Sequence, residues 1–155
     1  MNTPLRENIA LVRLAALDLH KLLLQAVRRD YERVHGRIAS TGELLNLVTY
    51  DQAFAWLHPL SELIVALDEL LDIPEHTDSD AAAVRVELEE LLSRSGERFQ
   101  EPYVAALQTD PALVVAHAAL QRALASLPAT PPDQIEQLRE ARLGWATRAE
   151  QHRRR

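Results

Sequence analysis

Between Thr3 and Gly36 nothing interrupts a recurrence of apolar side chains at spacings of three and four, and this run constrains the fold more than any other feature of the chain. Leu5, Ile9, Val12, Ala16, Leu19, Leu23 and Ala26 fall on one stripe of a helix, because 3.6 residues complete a turn. Thr3 followed by Pro4 has the form of an N-cap and first helical residue. Gly36 supplies the residue type at which helices commonly stop. The stripe is expected to be core.

The later segments repeat this grammar. Ser40 and Glu43 have the spacing of a capping box, which starts a second helix near Thr41 that ends around Tyr50. Asp51 caps a third, on which Trp56, Leu60, Leu63, Ile64, Leu67, Leu70 and Leu71 share a face until Pro74; Pro59 kinks or restarts it. His76 to Asp80 reads as a polar loop. Val84, Leu88, Leu91 and Ser95 then define a fourth helix, opposed by Glu87, Glu89 and Glu90 and ended or bent at Gly96. The chain restarts around Pro102 through Tyr103 and Leu107, and Asp110-Pro111 opens a fifth helix. That helix, near 111–127, has Arg122 as its only formal charge and is rich in small residues (Ala116, Ala118, Ala119, Ala123, Ala125), so it is expected to be the apolar centre of the bundle. Leu127 to Pro132 is a connector. Ile135, Leu138, Ala141, Trp145 and Ala149 stripe a sixth helix, and Arg153 to Arg155 close a basic tail over 150–155 that is expected to be flexible. No segment alternates as a strand does, and no solenoid period recurs. The expected fold is an all-α, single-domain bundle over 1–155, with about five or six amphipathic helices.

Composition removes whole classes of chemistry. The chain has 155 residues, 47% of them hydrophobic and 26% charged, enough to bury a core without metal or disulfide staples. The absence of cysteine excludes disulfides, thiolate zinc sites, iron–sulfur clusters and a cysteine nucleophile. A formal charge of −6 argues against nucleic acid as a partner, since phosphate-backbone binders carry a basic face. The apolar run Ile9 to Leu24 is broken by Arg13, Asp18, His20 and Lys21, so neither a signal peptide nor a membrane-spanning helix is expected, and the protein is read as cytoplasmic. Only Lys21 among the 17 basic residues is not Arg, a bias that points to a GC-rich bacterial genome. Gly-x-Ser-x-Gly, Ser-x-x-Lys and His-Glu-x-x-His are absent, and Gly36, Gly42, Gly96 and Gly144 are isolated, so no hydrolase or phosphate-loop signature exists.

A few residues could still carry chemistry. His117 shares an apolar face with Leu113, Leu120 and Leu124, where an imidazole serves either as a ligand or as a hydrogen-bonded core group. His20, at the edge of the first stripe, would reach the same interior if those two helices are neighbours. Asp30 falls on the first stripe and needs a partner if it is buried; an ion pair with Arg142, on the margin of the last stripe, is one expectation, solvent exposure near the helix end a second, and a shared site with a histidine a third. Glu32 and His35 have the Glu-x-x-His spacing of carboxylate-bridged metal bundles, but no second copy exists. His58 and Glu62 read as a solvated pair. Trp56, in the aromatic stretch from Tyr50, fills core or lines a pocket.

Surplus apolar surface is the feature a monomer explains least. Leu11, Leu14 and Leu22 lie off the first stripe, and Val114 and Val115 straddle the fifth helix. Large exposed apolar patches mark association, so a homodimer through the first helix is expected, with a further protein partner conceivable and no membrane. Two functional classes follow. One is a non-enzymatic, self-associating interaction or structural module. The other is a ligand- or metal-binding bundle, conceivably an enzyme, that uses His117, His20 and Asp30; no cofactor is specified by the sequence.

Overall fold

In a computed structural model, which describes residues 3–93 and 96–155, the chain is all-α, with no strand among those residues. α1 spans Thr3–His35; α2 (Thr41–Tyr50), α3 (Gln52–Ala55), α4 (His58–Asp72), α5 (Asp78–Ser93), α6 (Gly96–Thr109), α7 (Pro111–Ala125), α8 (Ile135–Leu143) and α9 (Trp145–Arg153) follow. At about 1.5 Å per residue α1 is roughly 50 Å long and forms the spine of the molecule. Ile9, Val12, Ala16, Leu19 and Leu23 are wholly buried, and Val27 rather than Ala26 continues the stripe. Gly36 ends the helix at φ 86°, its N–H donating to the Glu32 carbonyl at 2.9 Å. That left-handed cap satisfies a carbonyl that the last turn would otherwise leave unpaired. No described helix is long and apolar enough to cross a membrane.

The nine described α-segments outnumber the five or six expected because turn chemistry divides two of them and the stretch around Pro102 is a helix of its own. Asp51 accepts from the Ala53 N–H at 2.9 Å but starts only the single turn of α3; the chain bends at Trp56 and Leu57, and Pro59 in the first turn of α4 restarts it. Gly144 separates α8 from α9. Pro102 lies inside α6 instead of restarting the chain, and Gly96 opens that helix. Ser95, placed on the fourth helix by its spacing, lies outside the described residues. Residues 150–153, expected in a flexible tail, complete α9, where Arg153 pairs with Asp72 at 3.0 Å and Arg154 with Glu150 at 2.6 Å.

Packing is set by the two flanks of α1. Arg6 donates to the Ile73 carbonyl, Arg13 pairs with Asp68 and His20 bonds Ser61, so α4 runs antiparallel to α1. Arg29, near the end of α1, pairs at 3.1 Å with Asp110, the N-cap of α7, which makes α7 antiparallel as well. The apolar segment near 111–127 is not the centre of the bundle. α7 buries Leu113, Leu120 and Leu124 but leaves Val114 and Val115 50% and 67% exposed. The central helix is α5, which packs against α1, α4, α6, α7 and α8 and buries residues around its whole circumference, from Asp80 to Leu92. Ala81, Ala82 and Ala83 allow close approach there, and Glu87 meets Arg142 of α8 at 2.9 Å instead of water.

Candidate functional site

The start of α5 holds the most enclosed polar cluster among the described residues. Thr77 and Asp80 form a reciprocal capping box: the Asp80 N–H donates to Thr77 Oγ1 at 3.1 Å, and the Thr77 N–H donates to Asp80 Oδ2 at 3.0 Å. The Asp80 carboxylate also accepts from Trp145 Nε1 at 3.1 Å and from both terminal nitrogens of Arg148, at 3.1 and 3.4 Å. Burial alone would push this carboxyl upward; the hydrogen bonds from Arg148, Thr77 and Trp145 and the Arg148 charge outweigh it and hold the pKa below the ordinary value. Beside it His76, 1% exposed, donates from Nε2 to the Leu70 carbonyl at 2.7 Å. The stretch His76 to Asp80 is therefore a helix start tied to α9, not a polar loop. The Thr-x-x-Asp spacing was its signal. A carboxylate with four contacts has no lone pair left for a ligand, so the cluster clasps two helices together.

The residues singled out from sequence are distributed among different partners. Tyr103, fully buried, shares a 2.6 Å hydrogen bond with Nδ1 of half-buried His117; burial raises the phenol pKa and lowers that of the imidazole, so two neutral groups face each other. His20, its pKa also lowered by burial, bonds Ser61 Oγ through Nε2 at 2.7 Å. The two histidines thus belong to α6 and α4 contacts respectively, not to one site. Ser61 is also within 3.4 Å of the Leu57 carbonyl, and among the described residues no carboxylate bonds His20 Nδ1, the group a catalytic triad needs. Asp30 is exposed and pairs with Arg33 one turn on, while Arg142 belongs to Glu87; the Asp30–Arg142 pair does not form because the two helices carrying them meet other neighbours. Asp30 and Trp56 do share a cleft of about 420 Å³, with Tyr31 and His35. Trp56 also packs against Phe99, ring centroids 5.4 Å apart. Glu32 accepts from the Ile38 N–H at 3.0 Å and from Arg28, and so finishes the helix end. His58 is half-buried and donates to the Val48 carbonyl at 2.8 Å, so it is not a solvated partner of Glu62. Among the described residues no three His, Asp or Glu side chains converge as metal ligands.

A wide concavity lies elsewhere, between α1 and α7 at the surface. It is a groove of about 940 Å³. Its α1 wall carries Leu11, Leu14, Ala15 and Leu22, and its α7 wall Ala112, Val115, Ala116, Ala119 and Ala123, with Asp18, Lys21 and Gln25 as the polar lining. These side chains sit on the face next to the one each helix gives to the core, and the alanines of α7 make that wall shallow. Leu11 and Leu14 are 56% and 52% exposed. The leucines and Val115 that sequence periodicity could not place in a core are the ones found here. No protein-family model, curated protein or solved structure matches the chain.

Proposed function

We propose that the chain is a non-enzymatic interaction module that works by covering its α1/α7 groove with a helix of another polypeptide, and that it self-associates through this face. The supporting observation is that Leu11, Leu14 and Val115, each more than half exposed, line one groove of about 940 Å³ between two helices. A bacterial, cytoplasmic setting belongs to the same reading. Sedimentation velocity over a range of concentrations tests it. The parent protein is expected to dimerise and the double variant Leu14→Glu, Val115→Glu to stay monomeric with an unchanged helical circular dichroism spectrum. A parent that stays monomeric, or a variant that dimerises equally well, overturns the reading.

The second reading, a small-ligand bundle, is favoured by one observation: Asp30, Tyr31, His35 and Trp56 line one cleft. Native mass spectrometry of the purified protein tests it directly. A reproducible bound mass that vanishes on Trp56→Ala would move the assignment to that cleft.

A further inference from the structure

Accepting the α1/α7 face as an association surface leaves its occupant to be identified, and two side chains in the groove narrow the choice. Asp18 and Lys21 lie three residues apart on α1, both exposed and both lining the groove. Neither forms an ion pair with any described residue, whereas Arg13, Arg28, Arg29, Asp30, Glu32 and Arg33 of the same helix all do. One negative and one positive charge are thus left facing outward among leucines, where an occupant must answer both.

We propose that the occupant is α1 of a second copy, running antiparallel across a two-fold axis that passes between Leu19 and His20; this rests on the reading above. A two-fold makes each contact twice. Centred there, Asp18 lies opposite Lys21 of the second copy and Lys21 opposite its Asp18. An axis on Asp18 would set two carboxylates face to face. A parallel pairing in register would oppose like charges at both positions. Because α7 begins beside Leu22 and Ala26 of α1, the same placement carries Leu11 and Leu14, each more than half exposed, towards Ala112 and Val115 of the second copy. A lone pair of charges within an apolar seam fixes register and direction, as polar residues do in coiled coils.

Charge exchange tests this. D18K and K21D are each expected to weaken dimerisation at least tenfold at low ionic strength, since each sets like charges opposite one another twice. An equimolar mixture of the two restores both attractions, so native mass spectrometry should show a 1:1 heterodimer, whose mass differs from that of either homodimer. If Leu14→Glu abolishes the dimer but D18K and K21D dimerise like the parent, or if their mixture shows no recovery, the antiparallel occupant is wrong and the association surface stands. A monomeric parent, or a dimer indifferent to Leu14→Glu, overturns both.

Discussion

The start of α5 and the α1/α7 groove break the same rule in opposite directions. At Asp80 a carboxylate is 2% exposed, in a place where charge is costly; along the groove, leucines and a valine are more than half exposed, in a place where apolar surface is costly. The difference is closure. The carboxylate meets Thr77, Trp145 and Arg148 of its own chain, and nothing outside is needed to satisfy it. The leucines have no such answer within the chain, so the free energy of covering them is available to a second molecule. A buried polar group that is fully paired therefore marks architecture here, and an exposed apolar row marks the outward-facing part of the molecule.

This contrast can be broken by experiment, most forcefully at the clasp. Asp80→Ala leaves the Trp145 indole N–H and the Thr77 amide without an acceptor and half-exposed Arg148 without its carboxylate, and is expected to cost about 3 kcal/mol in urea unfolding, because each buried donor left unpaired carries its full desolvation cost. A loss below about 1 kcal/mol would show that the clasp is not closed within the chain. Acid probes the same contact without mutation. The folded pKa of Asp80 is depressed, so its stabilisation is complete above the unfolded carboxylate range and is lost as pH falls below about 4. His20 and His117 are also depressed, by burial; the unfolded chain binds their protons first, and stability should begin to fall as pH drops below about 6.5. Urea titrations at stepped pH should show both phases, with Asp80→Asn reducing the lower one and His117→Leu reducing the upper. Thr77→Ala removes one capping acceptor but leaves the carboxylate in place, and about 1 kcal/mol is expected. Leu14→Glu marks the other pole: in monomer at low concentration its effect on unfolding should stay within about 0.5 kcal/mol, although it abolishes association.

The sequence made α1 legible because its stripe repeats over many turns, and the error at any one position is averaged away. Ser40, Asp51, Asp110 and Pro111 were legible for a local reason: caps act within four residues, so spacing alone specifies them. α5 was legible as a helix through Val84, Leu88 and Leu91 but not as the centre, because Ala82 and Val86 on its other side are buried as well, and Glu87 and Glu90 look solvent-facing until the arginines of α8 are brought to them. α7 misled in the opposite way. Its alanines and valines are composed like a core, but half of its circumference is the wall of a groove. The Thr77 and Asp80 box obeys the same arithmetic as Ser40 and Glu43, yet its neighbours Pro74, Glu75 and His76 read as a loop. Of the candidate site residues, sequence could indicate that Asp30 and Arg142 need partners; which partner depends on how helices cross, and periodicity carries no information about that. The surplus leucines were legible as surplus, while the groove they share with α7 was not.

The clasp also has a kinetic meaning. Trp145 is 65 residues from Asp80, and joining positions so distant costs loop-closure entropy that the local helices and their caps do not incur. α9, held through Trp145 and Arg148 to one carboxylate, is therefore expected to dock only after the local helices and their caps have formed, and to open as a unit when that carboxylate is lost. Its amide hydrogen exchange would then report a local opening, whose frequency rises when a single carboxylate takes up a proton.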